Sequence, residues 1–87
     1  MRYVTDIEIP NLDAMGRREL ERYGQRAFAE AEGAVSPRSD WLRMVADYAR
    51  KKCKAMDLRQ EGKIDLALRY ERACENIYAD IPQRMRW

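Results

Sequence analysis

Between Pro37 and Pro82 the sequence holds one glycine, Gly62, and no further proline, with apolar residues recurring every three or four positions on both sides. That period marks amphipathic helices. Glycine adopts the left-handed conformation that stops a helix without the penalty a Cβ would bring. The stretch from Ser36 to Pro82 therefore predicts two antiparallel helices folded about Gly62, apolar sides facing.

The first of these, helix 2, is expected over 36–61. Ser36 serves as its N-cap, Pro37 takes the first helical position, and Asp40 complements the dipole. Its apolar set runs Trp41, Leu42, Met44, Val45, Ala46, Tyr48, Ala49, Cys53, Ala55, Met56 and Leu58. At about 100° per residue these positions cover more than half the circumference, so helix 2 must touch two neighbours. Helix 3 is expected over 63–80, stopped by Pro82. Ile64, Ala67, Leu68, Cys74, Ile77, Tyr78 and Ile81 form its main stripe, widened by Leu66, Tyr70 and Ala73.

Upstream, residues 11–33 predict helix 1, with Asn11 as N-cap after Pro10, Asp13 in the first turn and Gly33 at the C-terminal stop. Leu20, Tyr23, Gly24, Ala27, Phe28 and Ala31 fall on one stripe. Gly24 inside it costs about 1 kcal/mol of helix propensity relative to alanine, which close approach of another helix would offset. Residues 1–10 alternate in strand fashion, but a lone strand cannot satisfy its own backbone groups. They are expected to be an extended arm over the helices, or to pair with a second copy. Residues 82–87 form a tail whose Trp87 either folds back or stays free. The expected fold is all-α: a three-helix bundle in which helix 1 covers the hairpin of helices 2 and 3.

Folding the hairpin at Gly62 sets Lys52 opposite Glu71, both inside otherwise apolar stripes. An unpaired charge there would cost several kcal/mol, so a structural Lys52–Glu71 ion pair is expected, with Arg59–Asp65 as a second clasp nearer the turn. Asp47 and Lys51 form a favourable i, i+4 pair. Cys53 and Cys74 read as small core residues about a turn apart, with no bond between them.

Eighty-seven residues make one domain, marginal in stability unless a partner helps. Seventeen Lys and Arg against fifteen Asp and Glu leave a net charge of +2, which supplies no strong pull toward nucleic acid. Histidine is absent and cysteine occurs twice, so the usual zinc sites and the commonest general base are missing. No nucleophile motif or phosphate-cradling glycine loop accompanies the Lys52–Glu71 pair, and neither a cofactor nor an enzymatic role is expected. No apolar run approaches the roughly 20 residues that cross a bilayer. A reduced, cytoplasmic setting is the default.

From Tyr48 to Pro82 the chain resembles a tetratricopeptide-type helical hairpin. The residues carrying this are Gly62-Lys63-Ile64-Asp65-Leu66-Ala67-Leu68-Arg69-Tyr70, with Ala55 and Leu58 at packing positions and Cys74 where a small residue recurs. It departs from that pattern at Lys51, Lys54, Lys63 and Glu71, and no second repeat is visible. The microtubule-interacting-and-transport type of three-helix domain is similar more loosely. Either resemblance implies protein–protein binding. The leading expectation is thus a small interaction or structural module that self-associates, with Tyr3, Trp41, Met44, Tyr70 and Trp87 as candidate contact surface. The alternative is a small nucleic-acid-binding protein using Arg18, Arg22, Arg26, Arg50 and Lys54.

Overall fold

A computed structural model of the chain describes residues 9–87. Nearly all of the expected arm, Tyr3 included, lies outside the described residues. The chain forms three helices, α1 (Arg17–Glu32), α2 (Arg38–Gln60) and α3 (Ile64–Asp80), with single 3-10 turns at Leu12–Ala14 and Gln83–Met85. The fold is all-α, and the described residues contain no strand.

Gly62 behaves as its sequence context demands. Its φ is +81°, its N–H donates to the Arg59 carbonyl at 3.1 Å, and the Lys63 N–H reaches the Leu58 carbonyl at 2.9 Å. This Schellman pattern satisfies two of the carbonyls that a helix end leaves open. The helix starts differ from expectation. Asn11 does cap, accepting the Asp13 N–H at 3.1 Å, but what it caps is the short 3-10 turn. Gly16 is extended, so α1 begins at Arg17, six residues later than the expected boundary of 11. At α2 the Ser36 hydroxyl donates to the Asp40 carboxylate at 2.8 Å and makes no cap bond, and the helix begins after Pro37. A carboxylate one turn away competes for the hydroxyl.

The principal contacts are α1 with α2 and α2 with α3, so α2 is the shared middle rod. Its wide apolar circumference has the two neighbours that it calls for. Helix 1 meets the hairpin through α2, where Gly24 lets the backbones close. A Cβ built on Gly24 would stand 3.1 Å from the Ala49 Cβ, inside ordinary contact distance. The two cysteines are free and turn to different helices: the Cys53 thiol lies 3.5 Å from the Arg17 carbonyl, that of Cys74 3.7 Å from the Tyr48 carbonyl. Leu12, Ile81 and Met85 are buried with Leu20, Leu42 and Val45, so both terminal turns help to complete the core. Arg86 reaches back to the Ala79 and Ile81 carbonyls at 2.8 and 3.0 Å and closes the end of α3.

α3 departs most from its predicted stripe. Ala67 and Cys74 are buried against α2, but Ile64 and Leu68, expected in the core, are exposed. Among the described residues the principal neighbour of α3 is α2 alone, which the small Ala67 meets while Ile64 and Leu68 lie to the side.

Two substitutions probe these contacts. Gly24→Val should lower the unfolding free energy by about 2 kcal/mol, because the Ala49 methyl is fixed to a helix backbone and cannot turn aside. Gly62→Ala should cost about 1–2 kcal/mol through its left-handed backbone. Urea unfolding followed by circular dichroism measures both.

Candidate functional site

Where the turn at Leu12–Ala14 and the C-terminal Trp87 meet α2, the Asp13 carboxylate gathers three donors. Tyr48 donates its hydroxyl to Oδ1 at 2.8 Å and Lys52 its ammonium at 3.0 Å, while the Trp87 indole N–H reaches Oδ2 at 3.0 Å. The Trp87 ring stands edge-on between Tyr48 and Tyr78, with centroids 4.8 and 4.6 Å away, and its carbonyl accepts the Tyr78 hydroxyl. Trp87 thus folds back onto the bundle and is not a free contact residue. Lys52 also lies 5.8 Å from the Tyr48 ring centroid, within cation–π range.

Burial is the largest single influence on Asp13 and would raise its pKa. The hydrogen bonds from Tyr48, Lys52 and Trp87 together outweigh it and hold the carboxyl below its ordinary value of 3.8. Tyr48 moves the other way: burial first, then the bond to Asp13, keeps its hydroxyl protonated. Burial pushes the Cys74 thiol up to about 11, and raises Cys53 as well. A thiol so shifted is not a thiolate at neutral pH, which leaves it a weak nucleophile. An ionised carboxylate with three fixed donors is likewise suited to tying segments together rather than to exchanging protons.

The expected Lys52–Glu71 pair is not formed. Lys52 binds Asp13, and Glu71 takes both arms of the Arg59 guanidinium, with Arg59 Nη2 2.7 Å from Oε1 and Nε on Oε2. Glu71 does pair with helix 2, but through a different residue, and Arg59 does not clasp Asp65. The reason lies in the direction of helical side chains. Each Cα–Cβ bond tilts toward its own helix's N-terminus. In an antiparallel pair, Arg59 and Glu71 therefore lean toward one another, whereas Lys52 leans away from Glu71 and toward the level of Tyr48, where Asp13 waits. Arg59 foremost holds the Glu71 carboxyl below its usual range.

On the opposite side of α2 an open groove of about 840 Å³ runs between α1 and the last turns of α3. Phe28, Met44 and Ile77 supply apolar lining, and Arg43, Asp47 and Arg50 stand along α2. Arg17 closes one end, gripping Asp57 with two bonds of 2.9 and 3.0 Å and Glu21 with a third of 2.9 Å. The expected Asp47–Lys51 pair is present at 2.7 Å. Four cations, Arg17, Arg43, Arg50 and Lys54, are matched in this lining by four anions, Glu21, Asp47, Asp57 and Asp80.

The candidate surfaces are accordingly divided. Arg50 and Lys54 line the groove, while Arg18, Arg22 and Arg26 are exposed on α1 and do not. Met44 lines the groove and, like Trp41, packs partly against the core; Tyr70 is half-buried on α3. Among the described residues no cluster of three or more Cys, Asp or Glu is arranged to hold a metal ion, and no helix is long and apolar enough to cross a membrane. No protein-family model matches the chain, and neither a curated protein nor a solved structure matches it. Sequence reasoning missed the Asp13 cluster and the Arg17–Asp57 clamp. Asp13 carried only its position in a first turn as a signal, which marks the residue but not its distant partners.

Asp13 sets an acid-side prediction. A carboxyl whose folded pKa is depressed adds stability above its unfolded value, and that stability is lost as pH falls through the folded one. Thermal unfolding should thus show Tm falling as pH drops below 3.8, with a shallower fall in Asp13→Ala. At neutral pH Asp13→Ala should itself cost about 1 kcal/mol, because the Tyr48 hydroxyl loses its acceptor while the exposed bonds to Lys52 and Trp87 are replaced by water.

Proposed function

We propose that this chain is a small helical interaction or structural module that associates with itself. The observation that carries this reading is on α3, where Ile64, Leu66 and Leu68 are 43%, 42% and 49% exposed on a helix already packed against α2. Isolated exposed leucines such as Leu66 are ordinary, but Ile64 and Leu68, one turn apart on the same side of α3, form an exposed apolar strip of the kind that marks a contact surface. Phe28, 52% exposed beside the groove, adds a second apolar site. The resemblance of residues 48–82 to a tetratricopeptide-type hairpin points to the same class of role, although a single hairpin lacks the concave groove that stacked repeats form.

The remaining chemistry supports binding over catalysis: the buried thiols are held protonated and Asp13 is fully engaged by its donors. Balanced charge in the groove leaves Arg50 and Lys54 no cationic focus for phosphates, and Arg18, Arg22 and Arg26 lie outside it, so the five cations of the nucleic-acid alternative do not share one groove. Two unbridged cysteines are consistent with a reducing, cytoplasmic compartment.

Light scattering coupled to size exclusion tests the proposal. The expected result is a mass above the 10.3 kDa of one chain at high micromolar concentration, falling on dilution. A mass fixed at one chain throughout would refute self-association.

A further inference from the structure

The proposed self-association gains a location and a symmetry from α3, and the interface described for it depends on that functional reading. We infer that the outer face of α3, centred on Leu68, is a twofold interface on which the α3 helices of two copies pack antiparallel. Asp65, Leu68, Arg69 and Arg72, spaced i, i+3, i+4 and i+7, border a shallow depression of about 380 Å³ together with Ala73 and Asn76. Four residues at that spacing make the hole into which a neighbouring helix inserts one side chain as a knob. Leu68, exposed at 49%, is the large apolar residue on this face and the natural knob.

The same four residues determine the pairing. A twofold interface must be complementary to itself: if one residue meets a second, the second meets the first on the other copy. The centre of the hole lies level with Leu68 and Arg69. Seating the Leu68 of one copy in the hole of the other therefore centres the pair at that level, and the charges choose the antiparallel direction. Asp65 of each copy then stands opposite Arg72 of the other, giving two symmetry-related ion pairs on either side of the leucines. A parallel arrangement would instead oppose Asp65 to Asp65 and Arg72 to Arg72, which is repulsive. Among the described residues neither Asp65 nor Arg72 is engaged in an ion pair, so both are available without breaking an internal contact. Ile64, one turn before Leu68 and 43% exposed, extends the apolar strip at each end. Glu71, although on the same helix, is taken by Arg59 and stays with α2.

The arrangement also accounts for apolar residues on α3 beyond those α2 covers. Ala67 and Cys74 meet α2, whereas Ile64 and Leu68 point to another flank of the helix. One helix thus serves two neighbours, the second being another copy of itself.

Charge reversal gives a test that loss of folding cannot imitate. Asp65→Arg and Arg72→Asp should each weaken the dimer by about tenfold or more in Kd, because each opposes like charges twice. Mixing the two singly substituted chains should restore association, since in the mixed dimer Arg at 65 meets Asp at 72 and the other pair keeps its native Asp and Arg. Leu68→Glu should abolish association while the helical circular dichroism is unchanged, the site being exposed. Sedimentation velocity reads all five samples, the native chain included. If the native chain is dimeric but Leu68→Glu dimerises equally well, this interface is wrong while self-association stands. If Leu68→Glu dissociates but mixing does not rescue the charge variants, the antiparallel register is wrong. A native chain monomeric at every concentration removes the interface and the proposed function together.

Discussion

The architecture depends on α2 having apolar residues around so much of its surface that one partner helix cannot cover them. α1 and α3 take opposite sides of it, which leaves a seam between them above and below. One seam is closed by the two terminal turns, which deliver Leu12, Ile81, Met85 and Trp87 to the core. Asp13 ties that closure together, since its donors come from α2 and from Trp87. Among the described residues the other seam is open, as the groove beside Arg43, Asp47 and Arg50, where the surface of α2 is polar. The difference follows from α2 itself: the face that these two turns cover carries Val45 and Tyr48, and the groove face carries charges that favour water.

Ion pairs in this molecule hold register more than they supply stability. Arg17 fastens the first turn of α1 near the end of α2, and Arg59 fastens α3 to the same end. All four partners are substantially exposed, and such pairs contribute little against solvent screening. Their two-pronged geometry nevertheless specifies one alignment of each antiparallel pair, since a slip of one turn would separate both forks. Stability comes instead from close helix contact, with Gly24 against Ala49 on one side and Ala67 and Cys74 against α2 on the other. Small residues at both contacts bring backbones near but bury limited area, as expected of a chain this short.

The parts of the candidate surfaces that sequence located correctly were those defined along a single helix. The i, i+4 pairing of Asp47 with Lys51, the close approach at Gly24 and the separate packing of Cys53 and Cys74 all follow from helical period and residue size. Lys52 and Glu71 were placed at matching levels of the hairpin, which the Cys74–Tyr48 contact supports, yet neither chose the other. Level is a property of backbones, whereas partner choice depends on which way the side chains lean and on what else arrives. Trp41 and Trp87, both expected at a contact surface, are partly buried and pack against the core.

By itself, the sequence determined that the chain is helical, that it doubles back at Gly62 and that its middle helix has two neighbours. Each of these depends on local periodicity or on the conformational freedom of one glycine, which neighbours in sequence suffice to specify. Tertiary structure alone decided where Asp13 binds, which residue answers Glu71, which seam the two short turns close and which leucines of α3 are exposed. Those outcomes depend on segments up to seventy-four positions apart meeting in space, and no pattern along the chain records such meetings.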